Sequence, residues 1–189
     1  MKELETERYI LRRPKVEDAE QVYEKWGKDN EEMAEYKYHA PYKSVAEAKM
    51  IIEATLHETE EGIPCWFIEK KETREIVGYV KVTEYSDKNK TAVIKFYFLE
   101  GWRLEGTPEE VLTKIFEYLF NDRKFETVIA DHYYMSESHT RDLGRVLTNV
   151  GMTKEAVLRN RKINSKGQKV DRIIYSILKE EWEVSVKYL

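Results

Sequence analysis

Apolar and polar positions alternate at the start of the chain. Tyr9 and Leu11 fall on one side, Arg8, Ile10 and Arg12 on the other, and Pro14 closes the run, which predicts a strand. The period then lengthens: Ala19, Val22, Tyr23 and Trp26 recur at helical spacing. Ser44, with Glu47 three residues on, predicts a capped second helix whose inner face carries Ala48, Ile51, Ile52 and Thr55. Strand-like runs follow at 65–70, 76–84 and 91–99, the last two separated by the polar turn Ser86-Asp87-Lys88-Asn89-Lys90. A third helix is expected with Thr107 as N-cap, Pro108 at its first position and Glu110 at its third. Its buried face holds Val111, Leu112, Ile115, Phe116 and Leu119. Residues 127–131 read as a short apolar strand. A fourth helix turns Leu143, Val146, Leu147 and Val150 inward and stops at Gly151. The chain closes on a hairpin, Ala156 to Ile163 and Val170 to Leu178, around Asn164-Ser165-Lys166-Gly167. The order β-α-α-β-β-β-α-β-α-β-β is an α/β arrangement around a mixed sheet. With no linker, repeat or low-complexity tract, one domain over 1–189 is expected.

Composition narrows the function. Charged residues make up 36% and apolar residues 41% of the 189, so a folded protein is expected. A formal net charge of −4 lacks the basic surface that nucleic-acid binding needs. No apolar run is long enough to span a bilayer, so no membrane partner is expected. The charged start Met1-Lys2-Glu3-Leu4-Glu5 has no apolar leader core, so a cytoplasmic protein is expected. Cys65 is the one cysteine and stands in an apolar run, as a buried thiol would.

The segment from Phe96 to Glu110 carries the chemistry. A strand leads through a loop with Gly101 and Gly106 to an abrupt helix start, which presents free backbone N–H groups to a phosphate. Pro108 has no N–H to offer, and Glu109 and Glu110 occupy the positive end of the helix. The same residues therefore also read as a well-capped helix, with Thr107 and Glu110 as its capping box. His132, Tyr133, Tyr134 and His139 follow the strand 127–131 at its C-terminal end, where α/β folds place ligands and a histidine can titrate near neutral pH; they read equally as a surface aromatic cluster with no catalytic role. Trp26, Tyr36, Tyr38 and Tyr42 either recognise a cationic amine or pack against the helix pair.

The frame Arg103-x-x-Gly106-x-Pro108 resembles the pyrophosphate loop of the GNAT superfamily of acyl-CoA-dependent N-acyltransferases, with proline where that loop carries Gly or Ala. The opening Glu5-Thr6-Glu7-Arg8-Tyr9-Ile10-Leu11-Arg12-Arg13 is similar to that of the ribosomal-protein N-terminal acetyltransferase branch. So are Gly151-Met152-Thr153-Lys154-Glu155 and the stretch from Asp171 to Trp182. The resemblance covers nearly the whole chain. It implies a single GNAT-type domain with a mixed, mostly antiparallel sheet of about seven strands flanked by four helices. It also implies a parallel pair between 93–99 and 127–131, acetyl-CoA as co-substrate, and no metal. Backbone groups of Phe98, Leu99 and Glu100 would hold the pantetheine arm. Arg103, Leu104, Glu105, Gly106 and Thr107 would face the pyrophosphate. Thr140 and Leu143 stand where the branch has an Asn-x-x-Ser pair. Val93 replaces the usual glutamate base and Leu147 the usual tyrosine acid, and neither can move a proton. Glu100, His132 and Tyr134 are left as the candidate catalytic residues. Two readings stay open: acetyl transfer to a primary amine, on a protein N-terminus or a small molecule, or a degenerate domain that binds without turnover. A homodimer is compatible with either.

Overall fold

The computed structural model describes residues 1–27, 42–99, 101, 105–134, 136–164 and 167–186. Its strands are β1 (Leu4–Glu5), β2 (Tyr9–Arg12), β3 (Cys65–Lys70), β4 (Ile76–Ser86), β5 (Thr91–Phe98), β6 (Thr127–Tyr133), β7 (Thr153–Ile163) and β8 (Lys169–Leu178). Its helices are α1 (Ala19–Val22, flanked by tighter and wider turns), α2 (Val45–Glu60), α3 (Thr107–Glu117), α4 (Glu137–Asn149) and α5 (Lys179–Val186). The strands hydrogen-bond in the order β1-β2-β3-β4-β5-β6-β8-β7, a mixed and mostly antiparallel sheet. Among the described residues the expected seven strands become eight through the two-residue β1, and the expected four helices become five through α5. The chain groups into two compact units, Met1–Lys81 with Phe96–Thr107, and Val82–Lys95 with Pro108–Leu189.

In the first unit β2 pairs antiparallel with β3, Tyr9 opposite Lys70 and Leu11 opposite Ile68, and the alternation buries Tyr9 and Leu11 as expected. Arg12 departs from the pattern. It too is buried, because its guanidinium is held by Asp18 (2.7 and 2.8 Å) and by Glu69 (2.5 Å). Burial opposes its charge, but those hydrogen bonds outweigh it and hold the group more firmly protonated than usual. Trp26 sits in the core, edge-on to Phe67 (5.6 Å) and Tyr97 (6.1 Å), and Tyr42 is buried in the same cluster. Burial pushes the Tyr42 phenol up to about 12. Packing thus wins over ligand recognition for Trp26 and Tyr42, while Tyr36 and Tyr38 lie outside the described residues. Cys65 is buried, as its apolar neighbours imply.

α2 begins as its sequence predicts, with Ser44 Oγ accepting from the Glu47 N–H at 3.2 Å. Glu47 reaches back one residue further than a capping box requires, accepting from the Lys43 N–H. Ala48 and Ile52 are buried, Thr55 is half-buried, and Ile51 is exposed, so the inner face is narrower than the sequence implies. Ser44→Ala removes this cap and is expected to cost about 1 kcal/mol, read as a lower urea midpoint at constant slope.

In the second unit β5 and β6 run parallel, Thr91 opposite Thr127 through Ile94 opposite Ala130, as expected but starting two residues earlier. β6 pairs with β8 over its whole length, and β8 with β7. One face of this half-sheet is fully buried through Ala92, Ile94, Val128, Ala130, Ile173, Tyr175 and Ile177. The opposite face is half-exposed at Val93, Lys95, Ile129 and Ile174. α4 packs on the buried face through Leu143, Val146 and Leu147 and ends at Gly151, whose φ of +90° suits glycine. α5 contributes Trp182, 5.4 Å from Phe120. Among the described residues no helix is long and apolar enough to cross a membrane.

Candidate active site

Close backbone approach shapes the end of β5. A Cβ at Gly78 would stand 2.1 Å from the Tyr97 carbonyl oxygen, so only glycine fits there. The Leu99 N–H donates to the Val77 carbonyl at 2.9 Å, toward β4. Backbone groups alternate sides along a strand, so those of Phe98 point to the other edge. Of the expected pantetheine contacts, the Leu99 N–H is therefore already engaged, Phe98 has the open orientation, and Glu100 lies outside the described residues.

The loop into α3 is anchored on β2. Arg8 Nη1 donates to the Glu105 carbonyl at 3.1 Å, and the hydroxyls of Tyr9 and Thr107 are 2.7 Å apart in a buried position. Gly106 takes a φ of +73°, and a Cβ there would meet nothing within 4 Å. The glycine is thus required by backbone conformation, with open space above it where an anion can approach. The helix counts from Thr107, one position earlier than expected, and the Thr107 side chain is committed to Tyr9. Arg103 and Leu104 lie outside the described residues.

The aromatic segment after 131 is rearranged relative to the sequence expectation. β6 runs on through Tyr133, so strand alternation sends His132 and Tyr133 to opposite faces. His132 is buried and stacks on Tyr175, with ring centroids 5.9 Å apart. Its Nδ1 lies 3.3 Å from the Tyr133 carbonyl, and its buried Nε2 has no hydrogen-bond partner among the described residues. Burial pushes its pKa below the ordinary histidine value, against a weaker upward pull from the Tyr133 carbonyl, so the ring is neutral at pH 7. With Nδ1 donating to the carbonyl, Nε2 carries the lone pair. Tyr133 lies beneath Lys162, whose Nζ is 5.4 Å from the ring centroid. Tyr134 is exposed, and its N–H donates to the Asp171 carbonyl. The side chain of His139 lies outside the described residues.

A cluster that sequence reasoning missed lies on the half-exposed face. Asp131, its side chain fully buried, receives Lys95 Nζ at 2.5 Å and Arg172 Nε at 2.7 Å. Burial raises the Asp131 carboxyl, but the two cations outweigh it and keep it ionised, while burial lowers Lys95. The signal was available only as three charges on three strands, 36 and 41 residues apart in sequence, and sequence gives no register between them.

An Acetyltransferase (GNAT) domain model matches residues 8–153. The chain is also 30% identical over 179 residues to the uncharacterized N-acetyltransferase YoaA of Bacillus subtilis (strain 168), covering 93% of this chain and 96% of that one. The chain belongs to the GNAT acetyltransferases. Solved structures share the fold. The ribosomal-protein-S5-alanine acetyltransferase of Vibrio fischeri superposes with a TM-score of 0.77 at 15% identity, covering 96% of this chain and 99% of that one. The spermidine N-acetyltransferase of Vibrio cholerae, solved with CoA and spermine, gives 0.76 at 14% identity over 93% and 98%. Acyl-CoA-dependent N-acetylation is the reaction class of this family, and acetyl-CoA the co-substrate it implies. Val93 and Leu147, which the resemblance sets at the usual base and acid positions, are half-exposed on β5 and buried on α4. Thr140, which the resemblance sets where the branch has its asparagine, is half-buried on α4.

Proposed function

We propose that this chain moves an acetyl group from acetyl-CoA to a primary amine, a protein N-terminus or a small molecule, by direct attack of the amine. The observation that carries the reading is the combination of a β5–β6 parallel ladder of four registers with a Phe98 backbone edge turned away from β4. An open glycine loop into α3 adds a place for the pyrophosphate. Acetyl-CoA supplies an activated thioester, so the chain needs only to hold it, orient the amine and move one proton each way. In the first unit Phe98, Glu105, Gly106 and Thr107 offer backbone groups to the coenzyme, and Thr140 is assigned to it on sequence grounds. His132 is the candidate acceptor of the amine's proton, which reaches its solvent-shielded Nε2 through an intervening water, and Tyr134 returns one to the leaving sulfur. Glu100, Arg103 and Leu104 complete the set on sequence grounds.

Mixing the protein with acetyl-CoA and an amine panel, spermine and short peptides included, should release free thiol in proportion to acetylated amine. Binding of acetyl-CoA in a thermal-shift assay with no thiol released from any amine would favour the second reading, a domain that binds without turnover. The apolar residues at both usual proton-transfer positions, Val93 and Leu147, support that alternative.

Pro108 tests the loop. Pro108→Ala restores a backbone donor at the first turn of α3 and should bind coenzyme A about tenfold more tightly, since a hydrogen bond to a charged group contributes roughly 1.5–3 kcal/mol. Calorimetric titration of both proteins reads this directly, and equal affinity places the pyrophosphate elsewhere.

A further inference from the structure

A cleft of about 530 Å³ opens between α4 and the β8–β7 hairpin, wholly within the second unit. That is in the size range of small-molecule pockets, roughly 300–1,000 Å³. Its wall is cationic. Arg141 and Arg145 project from successive turns of α4, and Lys154 faces them from β7. Among the described residues Arg141 has only a distant partner, Asp142 at 3.7 Å. Arg145 and Lys154 make no hydrogen bond or ion pair among the described residues. Glu137 is the one carboxylate in the lining. Three cations against one anion leave an excess of positive charge around a concave surface, where low-dielectric walls strengthen it.

The floor is aromatic. Tyr175 lies there, backed by the ring of His132, and Tyr134 stands exposed at the cleft. Gly144 lets the helix sit low over that floor: a Cβ would come within 2.9 Å of the Tyr175 hydroxyl. Glycine inside a helix costs roughly 1 kcal/mol against alanine. Here the helix gains its close seat on Tyr175 and keeps an open trough beside it.

We infer that this cleft binds a small aromatic anion, its ring against Tyr175 and Tyr134 and its carboxylate or phosphate on Arg145 and Lys154. Planar anions suit a guanidinium, which pairs with carboxylate and phosphate alike. The cleft shares Tyr134 and Thr140 with the residues proposed for acetyl transfer and so adjoins that site, but its binding is read without turnover.

Ligand-observed NMR on the full chain tests it with four probes: indole-3-carboxylate, phenyl phosphate, neutral indole-3-carboxamide and inorganic phosphate. At least one of the two aromatic anions should bind at or below about 1 mM, an ordinary affinity for so small a ligand. The carboxamide and inorganic phosphate should each bind at least about tenfold more weakly, one lacking the charge and the other the ring. Whichever aromatic anion binds more tightly tells carboxylate from phosphate. The double variant Arg145→Glu with Lys154→Glu, both exposed positions, should weaken binding at least about tenfold. Thr148→Trp, which fills the cleft without changing charge, should do the same. Unchanged affinity in both variants, or equal binding of the neutral amide, overturns the inference. So does one-for-one displacement of the probe by coenzyme A together with loss of coenzyme affinity in the double variant, since the cleft would then belong to the coenzyme groove. Coenzyme affinity intact beside probe affinity lost supports a separate site. Failure of the chain to acetylate any amine bears on the proposed function and leaves these readings unaffected.

Discussion

Arg12→Ala should destabilise the protein by about 3–5 kcal/mol, the range for removing one partner of a buried ion pair. Arg12 is the shared partner of two buried carboxylates. It donates to both oxygens of Asp18 and to one of Glu69, while Arg74 reaches the second Glu69 oxygen at 2.8 Å. Among the described residues, removing the guanidinium leaves the Asp18 carboxylate with only the Lys15 backbone N–H, at 2.7 Å, and Glu69 with the exposed Arg74. Both carboxylates are desolvated by the fold and cannot regain water without opening it. Arg12→Lys should recover only part of the loss, because an ammonium cannot span two carboxylates as a planar fork does. Urea unfolding reads both. A loss below about 1 kcal/mol for Arg12→Ala would falsify the view that this cluster ties β2, β3 and the turn before α1 together.

His132→Ala should lower the acetylation rate by about 10²-fold, the low end of the usual 10²–10⁴-fold contribution of a positioned proton acceptor. The pH dependence separates this from a packing defect. A base must be neutral to work, and burial holds the His132 pKa below the ordinary value, so wild-type activity should persist below pH ~6.5 before falling. In His132→Ala that acid limb should vanish from kcat/KM, leaving only the ionisation of the acceptor amine. The same depressed pKa has a signature in stability. The unfolded chain binds the proton first, so the fold loses stability as pH falls below the unfolded value near 6.5. Full activity in His132→Ala, Tyr134→Phe and Glu100→Gln alike would remove side-chain proton transfer and leave positioning as the only catalyst.

The elements were legible because their signals are local. Tyr9 and Leu11 alternate, Ser44 caps, Gly151 terminates, and Leu143, Val146, Leu147 and Val150 repeat at helical spacing. Each rests on a few neighbouring residues whose period matches one backbone geometry. The family was legible for a similar reason, since its matching motifs are short contiguous runs at both ends of the chain. Errors entered where a residue's fate depends on something distant. Arg12 reads as a solvated strand position until Asp18 and Glu69 fold against it. Trp26 and Tyr42 read equally well as recognition or as core, and the space between β3, β5 and the helices decides for core. The end of β6 is set by β8, whose Arg172 pairs with Tyr133, and two added strand residues suffice to send His132 to the buried face.

Sequence by itself determined the α/β class, nearly every element, the parallel β5–β6 pair and membership of the acetyltransferase family, because pattern, caps and motifs are written in adjacent residues. Tertiary structure alone decided which charges are buried and paired, as at Arg12 and Asp131. It also decided that His132 is buried and neutral against Tyr175, and that Arg145 and Lys154 face one cleft. Protonation and ligand affinity follow from desolvation and from distances between groups far apart in the chain. Those are set only when the strands take their register and the helices settle on the sheet.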